Sequence, residues 1–324
     1  MYVAKPSGEI LGCRIEGVDL SQPFSEKDLG FTLRCLADYG VVCFPQQSLD
    51  AAAQVAFSRS FGELEVHVSG VFQDPAHPEI MILSNIVENG QPIGLADAGQ
   101  DWHTDMSFSK IIAYVNVLYA IKVPRRDGRP LGATRFASMT AAYEALPDDV
   151  KQRIEGRTAT RNFEKFWQMM RERGGANTSR APMTKEQKRR KPPVSHPIVM
   201  PHPISGRKIL YADPGYTVSI DGMDPQESSE LLDFLFEHQL RLQFQYAHRW
   251  TEGDVLIWDN LQTLHKAEAD YRGDEPRLIR RCQAMADRVF QPGFRRLAQT
   301  YGGTNGAATV GERRAGNEIA GTLH

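Results

Sequence analysis

The stretch Gly253-Asp-Val-Leu-Ile-Trp-Asp-Asn-Leu-Gln-Thr-Leu-His265 places a histidine directly after a short apolar run and a polar turn. Residues 255–258 have the length and composition of a buried strand, and Asp259-Asn260 supplies the turn. Similar short runs bounded by loops dominate the chain from residue 80 onward. Many short strands with few helices favour an antiparallel sandwich or barrel over a doubly wound sheet.

The remaining elements follow from local patterns. Ser25-Glu-Lys-Asp28 is a capping box and Gly40 suits a helix end, which together predict a helix over 25–40. The other predicted helices cover 49–61, 139–146 and 224–240. The predicted strands cover 41–44, 80–83, 111–123, 134–137, 199–201, 208–211, 244–250, 255–258 and 277–285, with a hairpin turn at 204–206.

Composition excludes several classes of protein. Lys+Arg 38 against Asp+Glu 40 gives a net charge of −2, without the basic excess of a protein that grips nucleic acid or a membrane. The longest apolar stretch, 111–121, is interrupted by Asn116 and is too short to span a bilayer. The start of the chain lacks a secretory pattern, and the four cysteines lack Cys-x-x-Cys spacing. We therefore expect a cytoplasmic protein with reduced thiols.

Length alone predicts about two domains. Two stretches differ in composition from the rest. Residues 171–191 hold eight Lys/Arg against two Glu, which predicts a mobile charged loop, either a solvated insertion or a lid over an anionic ligand. The tail from Gly302 is rich in Gly, Ala and Thr, and we expect it to be poorly ordered.

Candidate metal ligands lie in two segments. In Trp102-His103-Thr104-Asp105, a strand would project the side chains of His103 and Asp105 to the same face. About one such His-x-Asp/Glu pair is expected by chance in this chain, so the pair alone is weak. His265 adds a second imidazole, and two histidines with one carboxylate leave three positions open on iron, as an oxygenase needs.

Candidate anion-binding residues follow on the strand 277–285. Arg277 and Arg281 share one face of that strand, whereas Arg280 points the other way. Two guanidiniums in one pocket are costly unless anions meet them, and each can hold a carboxylate or a sulfonate in a bidentate fork. The pattern therefore indicates a doubly anionic set of ligands.

These residues carry a family resemblance. From about Gly12 to Arg288 the chain resembles the taurine dioxygenase and dichlorophenoxyacetate dioxygenase (TauD/TfdA) family of Fe(II)/α-ketoglutarate-dependent oxygenases. The shared motifs are 12–20, Phe61-Gly-Glu-Leu64, 102–105, His196-Pro197, His202-Pro203-Ile-Ser-Gly206, Trp258-Asp-Asn260 and His265. The resemblance implies a mainly β fold with flanking helices (α+β), a double-stranded β-helix or cupin-like jelly roll.

Carried over by position, the resemblance implies that His103, Asp105 and His265 bind iron. It implies that Thr134 and Arg277 anchor the far carboxylate of α-ketoglutarate, with Arg281 near the keto acid or the substrate anion. Two departures matter: Leu131-Gly-Ala133 replaces the family's Gly-Gly-Asp, and the loop before Arg277 is one residue longer than in the taurine enzyme. Arg280 is the residue that competes with these arginine assignments.

The expected substrate contacts are His67, Phe163 and Arg281. His67 corresponds to a substrate-binding histidine of the taurine enzyme, and an ordinary loop histidine is the alternative. Gly99 stands where that enzyme has an asparagine. Phe163 and Trp167 form either an apolar wall or ordinary packing. His196 and His202 are interpreted as structural neighbours of prolines.

Because His103 and His265 must meet on one metal, a cut at the midpoint would divide the site. We therefore expect one catalytic domain over 1–290, with a lid-like insertion at about 166–192 and a poorly ordered extension over 291–324. By resemblance it uses Fe(II), α-ketoglutarate and O2 to hydroxylate a small anionic organic substrate, with release of succinate and CO2, as a homo-oligomer (dimer or tetramer). The alternatives are a zinc hydrolase and a non-catalytic jelly-roll protein that binds small acids.

Overall fold

The computed structural model of the chain describes residues 3–66, 72–175 and 180–303. Its helices are α1 Glu26–Tyr39, α2 Ala51–Arg59, α3 Met139–Glu144, α4 Asp148–Ile154, α5 Phe163–Gly174, α6 Lys185–Arg190, α7 Pro225–Gln239 and α8 Pro292–Tyr301. Its strands are β1 Val3–Pro6, β2 Cys13–Glu16, β3 Val41–Phe44, β4 Met81–Ser84, β5 Val87–Glu88, β6 Gln91–Pro92, β7 Ala113–Lys122, β8 Arg125–Arg126, β9 Arg129–Pro130, β10 Thr134–Ser138, β11 Thr158–Arg161, β12 Val194–Pro197, β13 Val199–Pro201, β14 Lys208–Leu210, β15 Thr217–Ile220, β16 Gln245–His248, β17 Val255–Asp259, β18 Thr263–Ala267 and β19 Leu278–Met285.

The main sheet has seven strands in the order β1-β2-β3-β17-β7-β19-β4. Its pairs are antiparallel except β2 with β3. All five residues of β17 are buried because both faces of the sheet are covered. One face packs against apolar side chains of α1, α2 and α8, such as Leu33, Phe57 and Phe294. Since the sheet takes strands from both ends of the chain, it joins early and late sequence in one layer.

The other face of the main sheet lines an interior that a smaller sheet, β16-β10-β18, helps to close. Phe136 of β10 lies edge-on against Trp258 of β17, with ring centroids 5.3 Å apart. Leu118, Leu256 and Trp250 belong to the same buried cluster. Two packed, mostly antiparallel layers agree with the predicted sandwich or barrel.

Local sequence signals place several elements correctly. The capping box of α1 forms, since the hydroxyl of Ser25 accepts from the backbone N–H of Asp28 and the Asp28 carboxylate accepts from the backbone N–H of Ser25. The hairpin of β13 and β14 turns at Gly206, whose φ is +71°. Asp224 caps α7, with proline in its first turn.

Two segments predicted to be loose contain helices within the described residues. The stretch 171–191 was expected to be a loop, yet it contains the end of α5 and the whole of α6, and the Thr184 hydroxyl caps α6. The extension after 290 begins with α8, which packs closely on α1: a Cβ at Gly30 would lie 2.4 Å from the carbonyl oxygen of Leu297. The rest of the extension, 304–324, lies outside the described residues.

None of the helices in the described ranges has the length and the apolar composition that a bilayer span requires.

Candidate metal centre

A backbone bridge brings the two candidate histidine ligands together. The N–H of His103 donates to the carbonyl of His265 at 3.1 Å, and the N–H of His265 donates to the carbonyl of His103 at 2.8 Å. They therefore form a directly opposed antiparallel pair, with side chains on one face. Their ring centroids are 4.3 Å apart. The bridge thus converts a large sequence separation into one site.

The carboxylate of Asp105 is placed near the two histidines by a turn and not by a strand. His103 makes a single bridge, but Asp105 begins a turn that includes Met106 at φ +57°. The expectation of a strand-borne His-x-Asp is therefore wrong in detail. The hydroxyl of Thr104 donates to the carbonyl of Asn260 at 2.6 Å and ties this turn to the end of β17.

The three side chains fit a metal ion. One ligand atom from each of His103, Asp105 and His265 lies within 4.8 Å of the others, and all three residues are buried. Nε2 of His103 is 3.6 Å from Oδ1 of Asp105, and Nε2 of His265 is 3.5 Å from Oδ2. These separations are too long for hydrogen bonds. They are close to the spacing of about 3 Å between adjacent ligand atoms on a six-coordinate divalent cation.

The backbone also fixes the tautomer of His103. Its Nδ1 is 2.7 Å from the carbonyl oxygen of Asp101, so Nδ1 carries the proton and donates. The lone pair of Nε2 then faces Asp105 and the centre of the cluster. A histidine held in this way by a backbone carbonyl is oriented as metal ligands usually are.

Burial and mutual charge shift the pKa of each group. Burial alone would raise the pKa of Asp105, but Arg281 and the two imidazoles outweigh it and hold that pKa well below its usual range. Burial and the neighbouring His103 lower the pKa of His265 well below normal. Burial acts likewise on His103, but the Asp105 carboxylate overcomes it and raises that pKa. An ionised carboxylate beside a neutral imidazole is the protonation state that a cation prefers.

A second cluster of possible ligands consists of Cys43, His248 and Asp254. Here the carboxylate already has partners, because His248 lies 3.2 Å from its Oδ2 and the backbone N–H of Thr251 donates to the same oxygen at 2.9 Å. Burial raises the pKa of the Cys43 thiol, which keeps it protonated, whereas metals bind the thiolate. We therefore interpret this cluster as a hydrogen-bond network.

The candidate anchors for α-ketoglutarate lie at the start of β10 and just before β19. Thr134 is buried, and its Oγ1 accepts a hydrogen bond from the indole N–H of Trp250 at 3.1 Å. Tyr271 links the two anchors: a Cβ at Gly132 would lie 3.1 Å from its ring, and the buried guanidinium of Arg277 is 6.0 Å from its centroid. The carboxylate bound to this loop comes from Asp270, which accepts from the N–H of Gly132 at 2.7 Å.

Arg280 and Arg281 lie on opposite sides of β19, and Arg277 precedes this strand. Arg281 lies beside the metal centre, with Nη2 3.8 Å from Oδ2 of Asp105. Arg280 lies on the opposite side, where Nη2 donates to the carbonyl of Leu49 at 2.6 Å and the guanidinium covers Tyr119. Arg280 therefore does not replace Arg277 or Arg281 in the site.

An aromatic wall borders His103. It consists of Phe108, Phe163, Phe166 and Tyr216. The Phe166 ring centroid is 4.9 Å from that of His103, and Phe163 stacks on Tyr216. Phe163 therefore belongs to the aromatic cluster beside His103 and contacts Tyr216 and Trp167 within it.

Sequence analysis missed two charged residues at this wall. The ammonium of Lys191 lies 4.1 Å from the ring centroid of Phe163 and 5.0 Å from that of Phe108. Burial lowers the pKa of Lys191, and the charge of Glu65 opposes that shift. Burial raises the pKa of Glu65, against the charges of Lys191 and Arg281. The basic composition of 171–191 was visible in the sequence, but nothing in it singled out Lys191.

The other predicted positions have simple outcomes. His67 lies outside the described residues. Gly99 has φ +68°, and a Cβ there would lie 3.4 Å from Cε1 of His103. His196 bonds to the carbonyl of Ser109 at 2.8 Å, and His202 to Asp259 at 2.7 Å, which agrees with structural roles for both histidines.

A buried amide behind Asp105 was also missed. Asn116 donates from Nδ2 to Oδ2 of Asp105 at 2.5 Å and accepts from Nε2 of Gln283 at 2.9 Å. In the sequence Asn116 only interrupts an apolar run. The signal that could have found it is a polar residue within a strand buried on both faces, which needs a partner.

Comparison with known proteins identifies the class. The profile described as taurine catabolism dioxygenase TauD, TfdA family matches residues 4–283. Pentalenolactone F synthase of Streptomyces avermitilis is 30% identical over 299 residues, covering 90% of this chain and 96% of that protein. The alpha-ketoglutarate-dependent 2,4-dichlorophenoxyacetate dioxygenase of Cupriavidus pinatubonensis is 31% identical over 298 residues, covering 89% and 99%.

Solved structures agree. AAD-2 in complex with Mn(II) and N-oxalylglycine has a TM-score of 0.71 at 27% identity, covering 88% of this chain and 97% of that one. A taurine dioxygenase from Burkholderia xenovorans has a TM-score of 0.69 at 26% identity, covering 88% and 90%. The mainly β jelly-roll fold is confirmed.

The chain belongs to the TauD/TfdA family. It is an α-ketoglutarate-dependent dioxygenase, of the class that uses Fe(II), α-ketoglutarate and O2. The zinc hydrolase and the non-catalytic binding protein are therefore not favoured.

The metal centre makes a direct prediction. Asp105→Ala or His103→Ala should abolish binding of one Mn(II) per chain and substrate-coupled succinate formation, because each removes one of three protein ligands. His196→Gln is the matched control, since the imidazole of His196 is hydrogen-bonded to the carbonyl of Ser109, outside the cluster of three candidate ligands. Equilibrium dialysis measures the metal; stoichiometric binding by Asp105→Ala would refute the ligand assignment.

Proposed function

We propose that His103, Asp105 and His265 hold Fe(II), and that Thr134 and Arg277 hold the distal carboxylate of α-ketoglutarate. The observation that carries this proposal is the cluster of three buried donor atoms within 4.8 Å, with Arg281 at its edge. Bound Fe(II) would supply the redox chemistry by which α-ketoglutarate and O2 give succinate, CO2 and a hydroxylated substrate.

The residues around the metal orient and shield the reactants. Arg277 is buried, so a carboxylate there would be paired in a medium of low polarity, where a charged hydrogen bond is strong. Thr134 adds a hydroxyl on the adjacent sheet. Two fixed contacts at one end of a keto acid define the direction of its other end, which must face the metal for chelation.

For the substrate, we propose a small organic acid with an apolar body. Support comes from the aromatic wall beside His103 and from two cations at the same place, Arg281 and Lys191. Some relatives are named for phenoxy acids: the dioxygenase of Cupriavidus pinatubonensis and the (S)-phenoxypropionate/alpha-ketoglutarate-dioxygenase of Delftia acidovorans. A screen of aryloxy acids, sulfonates, sulfate esters and amino-acid derivatives for substrate-dependent succinate release tests this proposal.

We also propose that the segment at about 166–192 is a lid. Its arginines fasten it to the loop that precedes His103: Arg180 forms a bidentate pair with Asp97 at 2.5 and 2.7 Å, and Arg173 pairs with Asp101. Asp101 is also the residue whose carbonyl orients His103. The loop that contains Asp97 and Asp101 therefore both holds the proposed lid and orients His103.

A homo-oligomeric state stays a prediction that rests on the family resemblance, and a cytoplasmic location stays a prediction that rests on the sequence pattern. Light scattering against the chain mass of 36.3 kDa tests the first.

Arg277→Gln should raise the KM for α-ketoglutarate about 10- to 100-fold, because a charged hydrogen bond to the carboxylate is lost. The control is Arg280→Gln, whose guanidinium lies on the other side of the sheet and should leave this KM unchanged. Initial rates of succinate formation give both values. The visible charge-transfer band formed by wild-type protein, Fe(II) and α-ketoglutarate without oxygen tests chelation itself; its absence would count against the proposed function.

Lys191→Met should raise the KM for the most active acid of the screen about tenfold with little change in kcat, because an ammonium at the wall binds the ground state and the transition state alike. Lys188→Met is the control, since Lys188 pairs with Glu164 at the surface. An uncharged amide of the same acid should not distinguish Lys191→Met from wild type. Equal effects of the two substitutions on the acid would exclude this role for Lys191.

The lid makes a proteolysis prediction. Mn(II), α-ketoglutarate and an active acid should slow trypsin cleavage within 180–191, and Asp97→Asn should accelerate cleavage several-fold by weakening the pair with Arg180. Asp148→Asn, at an exposed surface pair, is the control. A rate of cleavage that changed neither with the ligands nor with Asp97→Asn would rule out a lid.

A further inference from the structure

The side-chain amide of Asn116 donates a hydrogen bond to the carboxylate of Asp105. Asn116 lies on β7, fully buried, between Trp258 of β17 and Gln283 of β19 in the strand register. Its Nδ2 is 2.5 Å from Oδ2 of Asp105. A hydrogen bond to a buried carboxylate is charge-assisted, and so is among the stronger contacts of this sheet.

The orientation of the side-chain amides of Asn116 and Gln283 follows from the charge of Asp105. A carboxylate only accepts, so Asn116 must turn its NH2 toward Asp105. Its Oδ1 then faces Gln283, which must present an NH2 in turn, at 2.9 Å. Asn260 agrees with this order, because its Oδ1 lies 3.4 Å from Nδ2 of Asn116 and accepts from the indole N–H of Trp258 at 3.1 Å.

The number of ligands gives this contact a function. Two imidazoles and one carboxylate oxygen would fill three positions on a six-coordinate ion; a chelating keto acid would fill two more, which would leave one for dioxygen. If Asp105 coordinated through both oxygens, the last position would be lost. Both oxygens face the site, since Oδ1 is 3.6 Å from Nε2 of His103 and Oδ2 is 3.5 Å from Nε2 of His265. The hydrogen bond from Asn116 occupies a lone pair of Oδ2 and so competes with coordination by that oxygen, whereas Oδ1 stays available for the ion.

We propose that Asn116, oriented by Gln283, is a positioning residue that keeps one oxygen of Asp105 away from the metal, so that the carboxylate coordinates through a single oxygen. This inference rests on the proposed metal site. It assigns to two residues outside the triad the task of preserving the third open coordination position.

The test is the number of water molecules on Mn(II), measured by water-proton relaxation of the loaded protein without α-ketoglutarate. Wild type should show three. Asn116→Ala should show either relaxivity lower by about a third, as the second oxygen enters, or Mn(II) binding about 10- to 100-fold weaker, as the carboxylate turns away. Unchanged relaxivity together with unchanged affinity would overturn the proposal, even if the melting temperature fell.

Gln283 supplies a matched pair of variants. Gln283→Glu places an acceptor against Oδ1 of Asn116, which should turn that amide around and reproduce the Asn116→Ala result. Gln283→Met removes the partner without forcing the turn, and should stay within about threefold of wild type in Mn(II) affinity with three waters. If Gln283→Glu behaved like Gln283→Met, Gln283 would have no orienting role. Failure of wild type to bind Mn(II) would refute the metal site itself, which separates the two hypotheses.

Discussion

The backbone bridge between His103 and His265 is the constraint on which the site depends. It consists of two backbone hydrogen bonds that join His103, which lies outside the named strands, to His265 on β18. The centroids of the two imidazole rings are 4.3 Å apart. β18 carries one of them and packs against β10, which carries Thr134. His265 and Thr134, a candidate metal ligand and a candidate keto-acid anchor, are therefore placed by one small sheet, and the bridge attaches His103 to it.

Much of the fold follows from local sequence. The capping box at Ser25 and the buried run of β17 are strong signals because each needs only neighbouring residues. α6 has no buried residue, so its helix comes from capping and charged pairs that an apolar pattern cannot reveal. The turn at Asp105 was missed for a different reason: the contact that shapes it, from Thr104 to Asn260, joins residues 156 positions apart.

The residues of the site likewise separate into those that the sequence could predict and those that depend on contacts with distant segments. His103, Asp105, His265 and the two outer arginines could be found from residue type, alternation and family resemblance. Asn116 and Lys191 could not, because their partners come from other strands and from the aromatic wall. A net charge of −2 likewise conceals a local arrangement in which Arg277 is buried, Arg281 lies beside Asp105 and Lys191 lies against the aromatic wall.

The hydrogen bond from the indole of Trp250 to Thr134 has a consequence for recognition. A threonine hydroxyl normally offers one donor and two acceptor sites, and so discriminates poorly between ligands. With the indole N–H occupying one lone pair, the hydroxyl retains its donor but only one acceptor site. A buried tryptophan thereby shifts the hydrogen-bonding balance of this hydroxyl from acceptance toward donation.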